Sequence, residues 1–329
     1  MSSSPVPAES VRGPMGRFEI PLAALAAAGS FAALFVVPVV GALGVPLAAV
    51  PVVRLAHRRG LVAAMLACAL ATAMILGLGW ATGGVGDGLA IAFLAAGVTA
   101  LSAASVGFLR AGVDPSRCYL GLCIAGCAFL SATFAASSSG PGPSASSQVA
   151  AAFDRLIPAA IESSSRSGAD AETIGRMRVT LQAAREFSRR YLWGLFGAFW
   201  VLGSAVAFYG GARSARPTPT AVVARFEALH VPALAAGLFV ATGAAFGLLH
   251  GEGRRLAGNL LLPLLALFFV AGLSIICHFF RRWFRVRILR AGLYALAAYF
   301  PINVGVALLG LFDWYVDFRR RGEGVVEKS

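Results

Sequence analysis

Eight apolar runs, none containing Asp, Glu, Lys or Arg, divide the chain. They are Ile20–Val40, Leu61–Trp80, Leu89–Leu109, Cys118–Ala136, Tyr191–Gly210, Ala228–Leu249, Leu256–Phe280 and Ala291–Phe312. A run of roughly 18 or more apolar residues is long enough to cross a hydrocarbon core about 30 Å thick as a helix. One such run can be a core helix of a soluble protein. Eight in 329 residues predict an all-α, polytopic integral membrane bundle. The short run Val45–Ala56 is a further candidate, broken by Pro46 and Pro51 and carrying Arg54. A tilted short span, a re-entrant segment and an interfacial helix are all open for it, so the expectation is eight or nine membrane segments.

The pattern changes character once, over residues 137–190. A Ser/Gly/Pro linker, SSSGPGPSASS, leads into two amphipathic helices. In the first, Val149, Phe153, Leu156, Ala160 and Ile161 share a face. In the second, Asp170 is placed as N-cap with Glu172 in the first turn, and Ile174, Met177, Leu181 and Ala184 recur at helical spacing. The chain then reads as a disordered tail (1–17), N-terminal membrane segments (18–136), an amphipathic insertion (137–190), C-terminal membrane segments (191–318) and a basic, polar tail (319–329).

Composition fits a bilayer. The chain is 58% hydrophobic and 13% charged, about half the charge of an ordinary soluble domain. The net charge of +13 is read as basic residues flanking spans, not as a nucleic-acid surface. With the N-terminus in the cytoplasm, nine crossings put the cluster Arg281, Arg282, Arg285, Arg287 and Arg290 inside. They leave Arg254, Arg255 and the terminal Arg319, Arg320 and Arg321 outside. Eight crossings reverse the cluster and the C-terminus, so the positive-inside rule cannot satisfy both. A bend of Ala291–Phe312 at Pro301 would relieve the conflict.

Candidate chemistry is sparse. No span contains a relay carboxylate: Asp313 is read at a span's end and Asp317 just beyond it. That disfavours a proton-coupled carrier. No metalloprotease, hydrolase or paired-acid motif occurs, so no catalytic residue and no cofactor is assigned. The five cysteines all lie in apolar segments and are read as packing residues, with no metal site. Polar groups at membrane depth are Asn259, His278 and Asn303, candidates for lining a solute cavity. In the tail, Asp313 and Asp317 share a helix face, and Arg320 can pair with Asp317. Docking and simple anchoring at the headgroups are both open for them.

Three segments carry a resemblance: PLAAVPVVRLAHRRGL, NLLLPLLALFFVAGLSIICHFF and GLFDWYVDFRRR. Together they resemble the bacterial YybS-like membrane family, a domain of unknown function. Asp313, Asp317, Phe318, Arg319 and Arg320 match its terminal pattern. That family is distantly similar to the substrate-binding membrane subunits of energy-coupling-factor vitamin importers. The resemblance implies docking to a coupling subunit through an Ala-x-x-x-Ala helix, here Ala24, Ala28 and Ala32.

The expected function is a passive, solute-binding transport subunit energised by partners, and not an enzyme. The alternative is a scaffold that docks other proteins through its insertion or tail. Either would sit in the bacterial cytoplasmic membrane, with the bilayer and other membrane subunits as partners and no nucleic acid.

Overall fold

The computed structural model describes residues 18–36, 38–81, 85–138, 145–214, 225–283, 292, 294, 296–297, 299, 301–316 and 318. The tails expected over 1–17 and 319–329 lie outside these residues, as does much of the Ser/Gly/Pro linker.

In a bilayer the backbone must satisfy its own hydrogen bonds, which an apolar chain does by forming helices. The helices are α1 (Glu19–Val36), α2 (Pro38–Arg59), α3 (Leu61–Ala81), α4 (Val85–Arg110), α5 (Pro115–Ser138), α6 (Ala145–Arg166), α7 (Ala171–Arg190) and α8 (Leu192–Ala205). A π-helical turn, Val206–Gly210, joins α8 to the short α9 (Gly211–Ser214). The last three are α10 (Ala233–Leu248), α11 (Gly251–Trp283) and α12 (Ile302–Val316). No strand occurs among the described residues. Among the described residues, five segments are long and apolar enough to cross a membrane: Leu61–Ala81, Ile91–Arg110, Pro115–Thr133, Leu192–Ser214 and Gly251–Arg281. Glu19–Phe31, Ala233–Leu248 and Ile302–Val316 are shorter apolar helices. The chain is an all-α, multi-spanning membrane protein.

Its packing is inverted in size. On α3 the buried stripe is Ala64, Ala67, Cys68, Ala71, Ile75 and Gly79, while Val62, Leu66, Leu70 and Trp80 are exposed. Small side chains let helices approach, and large apolar ones cost nothing facing lipid tails.

Two compact units emerge: Met1–Leu122 with Gly203–Ala224, and Cys123–Leu202 with Arg225–Ser329. In the first, α1 and α2 form an antiparallel hairpin. Its open end is fastened by Glu19, which accepts from Arg58 Nη1 at 3.2 Å and Arg59 Nε at 2.9 Å. The run Val45–Ala56 is thus the C-terminal half of a 22-residue helix, neither a short element of its own nor a re-entrant loop. Its prolines are tolerated because their carbonyl and packing losses are met inside a bundle. Tyr119 stacks beside Phe208 and Tyr209, at 6.4 and 5.6 Å between ring centroids.

In the second unit, α6 and α7 form the amphipathic hairpin. Arg185 Nη2 donates to Asp154 Oδ2 at 3.0 Å, and the Asp170 carboxylate caps α7 by accepting from the Thr173 N–H at 3.3 Å. The helix α7 starts and stops where its periodicity predicts, and none of its residues is buried.

Candidate functional site

The second unit carries the groups with chemistry. Helices α10 and α11 are antiparallel, joined at Leu249 and His250, with Phe239 edge-on to Phe268 at 5.3 Å. At the far end Glu227 pairs with Arg281. Helix α12 runs antiparallel to α11 in direct backbone contact. A Cβ on Gly272 would lie 1.8 Å from the Val306 carbonyl oxygen, and one on Gly310 would lie 2.1 Å from that of Phe268.

This register decides where Asp313 sits. The buried stripe of α12 is Val306, Ala307, Gly310 and Asp313. Gly310 abuts Phe268, near the midpoint of α11, and Asp313 is one turn further on the same stripe. Asp313 thus lies in the last turn of α12, at the end of that helix as the sequence suggests, but on the stripe that packs against α11. Its side chain is 5% exposed and accepts from the Phe318 N–H at 3.3 Å. Upstream, Gly292, Tyr294, Leu296 and Ala297 are helical; the chain bends at Tyr299 and turns at Pro301, and α12 starts at Ile302. Asp317, Arg319 and Arg320 lie outside the described residues.

The three expected cavity residues do not converge. Asn259 and His278 are on one helix, separated by roughly 28 Å at 1.5 Å per residue. Asn259 spends its amide on backbone. Its Oδ1 accepts from Gly194 N–H at 2.7 Å, and its Nδ2 donates to the carbonyls of Arg255 at 2.9 Å and Arg190 at 3.3 Å. It joins the end of α7 to the start of α8. His278 lies edge-on to Phe279 at 5.4 Å. Asn303, in the first turn of α12, has a buried Oδ1 with no hydrogen-bond partner among the described residues.

In the first unit, Ala24 and Ala28 are 0% and 7% exposed, inside the packing of α1 on α2 and α3. The docking reading is corrected for this pair: the stripe is already covered by the protein's own helices. Nothing is described of the Ala32 side chain. The same unit holds a group the sequence did not flag. His57 is 1% exposed, and neither ring nitrogen has a hydrogen-bond partner among the described residues. Its backbone carbonyl accepts from Arg110 Nη2 at 2.8 Å. Among the described residues no three His, Cys, Asp or Glu side chains gather as metal ligands would.

A family model described as "Predicted membrane protein (DUF2232)" matches residues 24–314. The chain belongs to this family. The match runs from within α1 to within α12 and so takes in both units. The DUF2232 description gives a membrane protein and no activity. No curated protein and no solved structure matches the chain.

Proposed function

We propose that this DUF2232 protein is a membrane transport subunit that binds a small solute within its second unit and depends on partner proteins for energy. The observation that carries this reading is the buried Asp313 carboxylate beside the midpoint of α11. An ionisable group at that depth is costly, and the usual reason to keep one is a solute or ion path. The buried Asn303 Oδ1, without a hydrogen-bond partner among the described residues, is a second polar group on α12 that a solute could engage. We read the protein as non-catalytic and as resident in the bacterial cytoplasmic membrane.

The likeness to YybS-like proteins and to energy-coupling-factor subunits belongs to this reading. Docking through Ala24 and Ala28 does not, since α2 and α3 cover them. A scaffold is the second reading, favoured by one observation: α7 offers a long charged face with no buried residue.

The test is native mass spectrometry of the purified protein and of Asp313→Asn. A small molecule retained by the wild type and lost by a folded variant is the expected result. If no solute is retained by either, and Asp313→Asn also preserves the cellular phenotype, the transport reading is overturned.

A further inference from the structure

At one end of the second unit, the last turn of α7 meets the first turn of α11 around a cleft of about 530 Å³. It is lined by Arg189, Arg190, Arg254 and Arg255, with Tyr191 and His250 beside them, and by the carboxylates of Glu186 and Glu252. Four guanidiniums face two carboxylates.

Both carboxylates are paired within the cleft, and the guanidiniums outnumber them. Glu186 serves both Arg189 and Arg190, at 3.3 Å each, and Glu252 serves Arg255 at 3.3 Å. Each guanidinium carries five N–H donors, so most remain available. Arg254 forms no ion pair among the described residues; it lies over the Phe246 ring, 4.8 Å from the centroid. A stacked guanidinium keeps its edge donors free for an oxyanion.

The surroundings are those of a headgroup layer. Tyr191 packs against Phe187 and Phe246 at 5.0 and 6.2 Å, an aromatic cluster of the kind found at membrane–water boundaries. Beside it Leu248, Leu249, Leu256 and Leu260 are exposed, a surface suited to acyl chains.

We propose that this cleft binds a phosphate monoanion or diester, of the kind that an acidic phospholipid headgroup presents, with Arg254 and Arg189 as its principal donors. A basic pocket between membrane helices, open to the headgroup layer, selects such lipids by charge and bidentate geometry.

The experiment uses the full chain in nanodiscs of phosphatidylcholine with or without phosphatidylglycerol, read by native mass spectrometry and by thermal stability. Phosphatidylglycerol should be retained and should raise the melting temperature, less so in high salt. Arg189→Gln with Arg254→Gln should cut retention by about tenfold or more, as loss of charge-assisted hydrogen bonds requires. Arg176→Gln, exposed elsewhere on α7, should leave it unchanged. Glu186→Gln releases two guanidiniums and should increase retention, a gain that a misfolded variant cannot show. In phosphatidylcholine discs, stabilisation by inorganic phosphate alone, with no preference for phosphatidylglycerol, would assign the site to a soluble phosphate ligand. Equal retention by wild type, the double variant and Glu186→Gln, with no response to phosphate, overturns the proposal.

Discussion

Gly272 and Val306 touch through their backbones: a Cβ on the glycine would stand 1.8 Å from the valine's carbonyl oxygen. With Gly310 against Phe268 one turn away, this contact sets how α11 and α12 slide against each other. It thereby sets the depth of Asp313.

Gly272→Leu should therefore be among the most damaging single changes in the chain. Neither carbonyl nor helix backbone can move aside, and overpacking of this kind costs about 1–3 kcal/mol or more. Gly305→Ala is the matched control, since nothing lies within 4 Å of a Cβ there. Thermal unfolding in detergent should show a clear loss for the first and none for the second. Equal behaviour would mean that α11 and α12 are not in this register.

Asn259 is read here as a joint between helices, so its variants should grade by hydrogen bonds lost. Asn259→Ala removes the acceptor for Gly194 and the donors to Arg190 and Arg255, and should cost about 1–3 kcal/mol, chiefly for the Gly194 N–H left unpaired. Asn259→Asp keeps the acceptor alone and should fall between. Limited proteolysis at the α7–α8 joint gives the readout. A variant that loses solute binding while the joint stays protected would return Asn259 to the cavity list.

The apolar spans were legible because each is a long uncharged run, and the hairpin because Ile174, Met177 and Leu181 recur at helical spacing. The helix α2 was obscured by Pro46 and Pro51, which propensity counts against a helix. Gly272 was invisible among 38 glycines, since only the facing backbone tells it apart from Gly305. Asp313 was legible as the end of the last helix, but its burial was not, because that depends on the facing backbone of α11. The arginine cleft joins two segments about 60 positions apart, with Arg255 Nε donating to the Arg190 carbonyl at 3.3 Å, and no local pattern announces that.

The α6–α7 hairpin should loosen in acid. The hydrogen bond from Thr173 holds the Asp170 carboxyl below its usual range, and Arg189, then Arg190, do the same for Glu186. A depressed carboxylate stabilises the fold above its unfolded pKa, about 4. That contribution is lost as pH falls through the lower folded value. Both groups are exposed and screened, so the effect is local. Amide protection in α7, taken relative to the intrinsic exchange rate at each pH, should be high at neutral pH and fall below the carboxylate range, and Asp170→Ala should flatten the fall at its first turn. An acid response unchanged in that variant would separate the cap from the pH dependence.

Topology follows from α11. Its 33 residues extend roughly 50 Å at 1.5 Å per residue, more than the hydrocarbon core, so Glu252 and Trp283 should emerge on opposite sides. The arginines 281, 282, 285, 287 and 290 are the densest basic cluster of the sequence, so the positive-inside rule predicts the Trp283 end in the cytoplasm. Nine crossings, with α2 counted as one of them, would bring this cluster inside when the N-terminus is inside. Glu252→Cys and Trp283→Cys, each in a chain whose native cysteines are replaced, should respond oppositely to an impermeant thiol reagent on intact cells. Labelling at 252 and protection at 283, reversed in inverted vesicles, is the expected outcome. Labelling at 283 alone would require eight crossings, with α2 lying outside the membrane. Labelling at both positions from one side would remove α11 from the spans altogether.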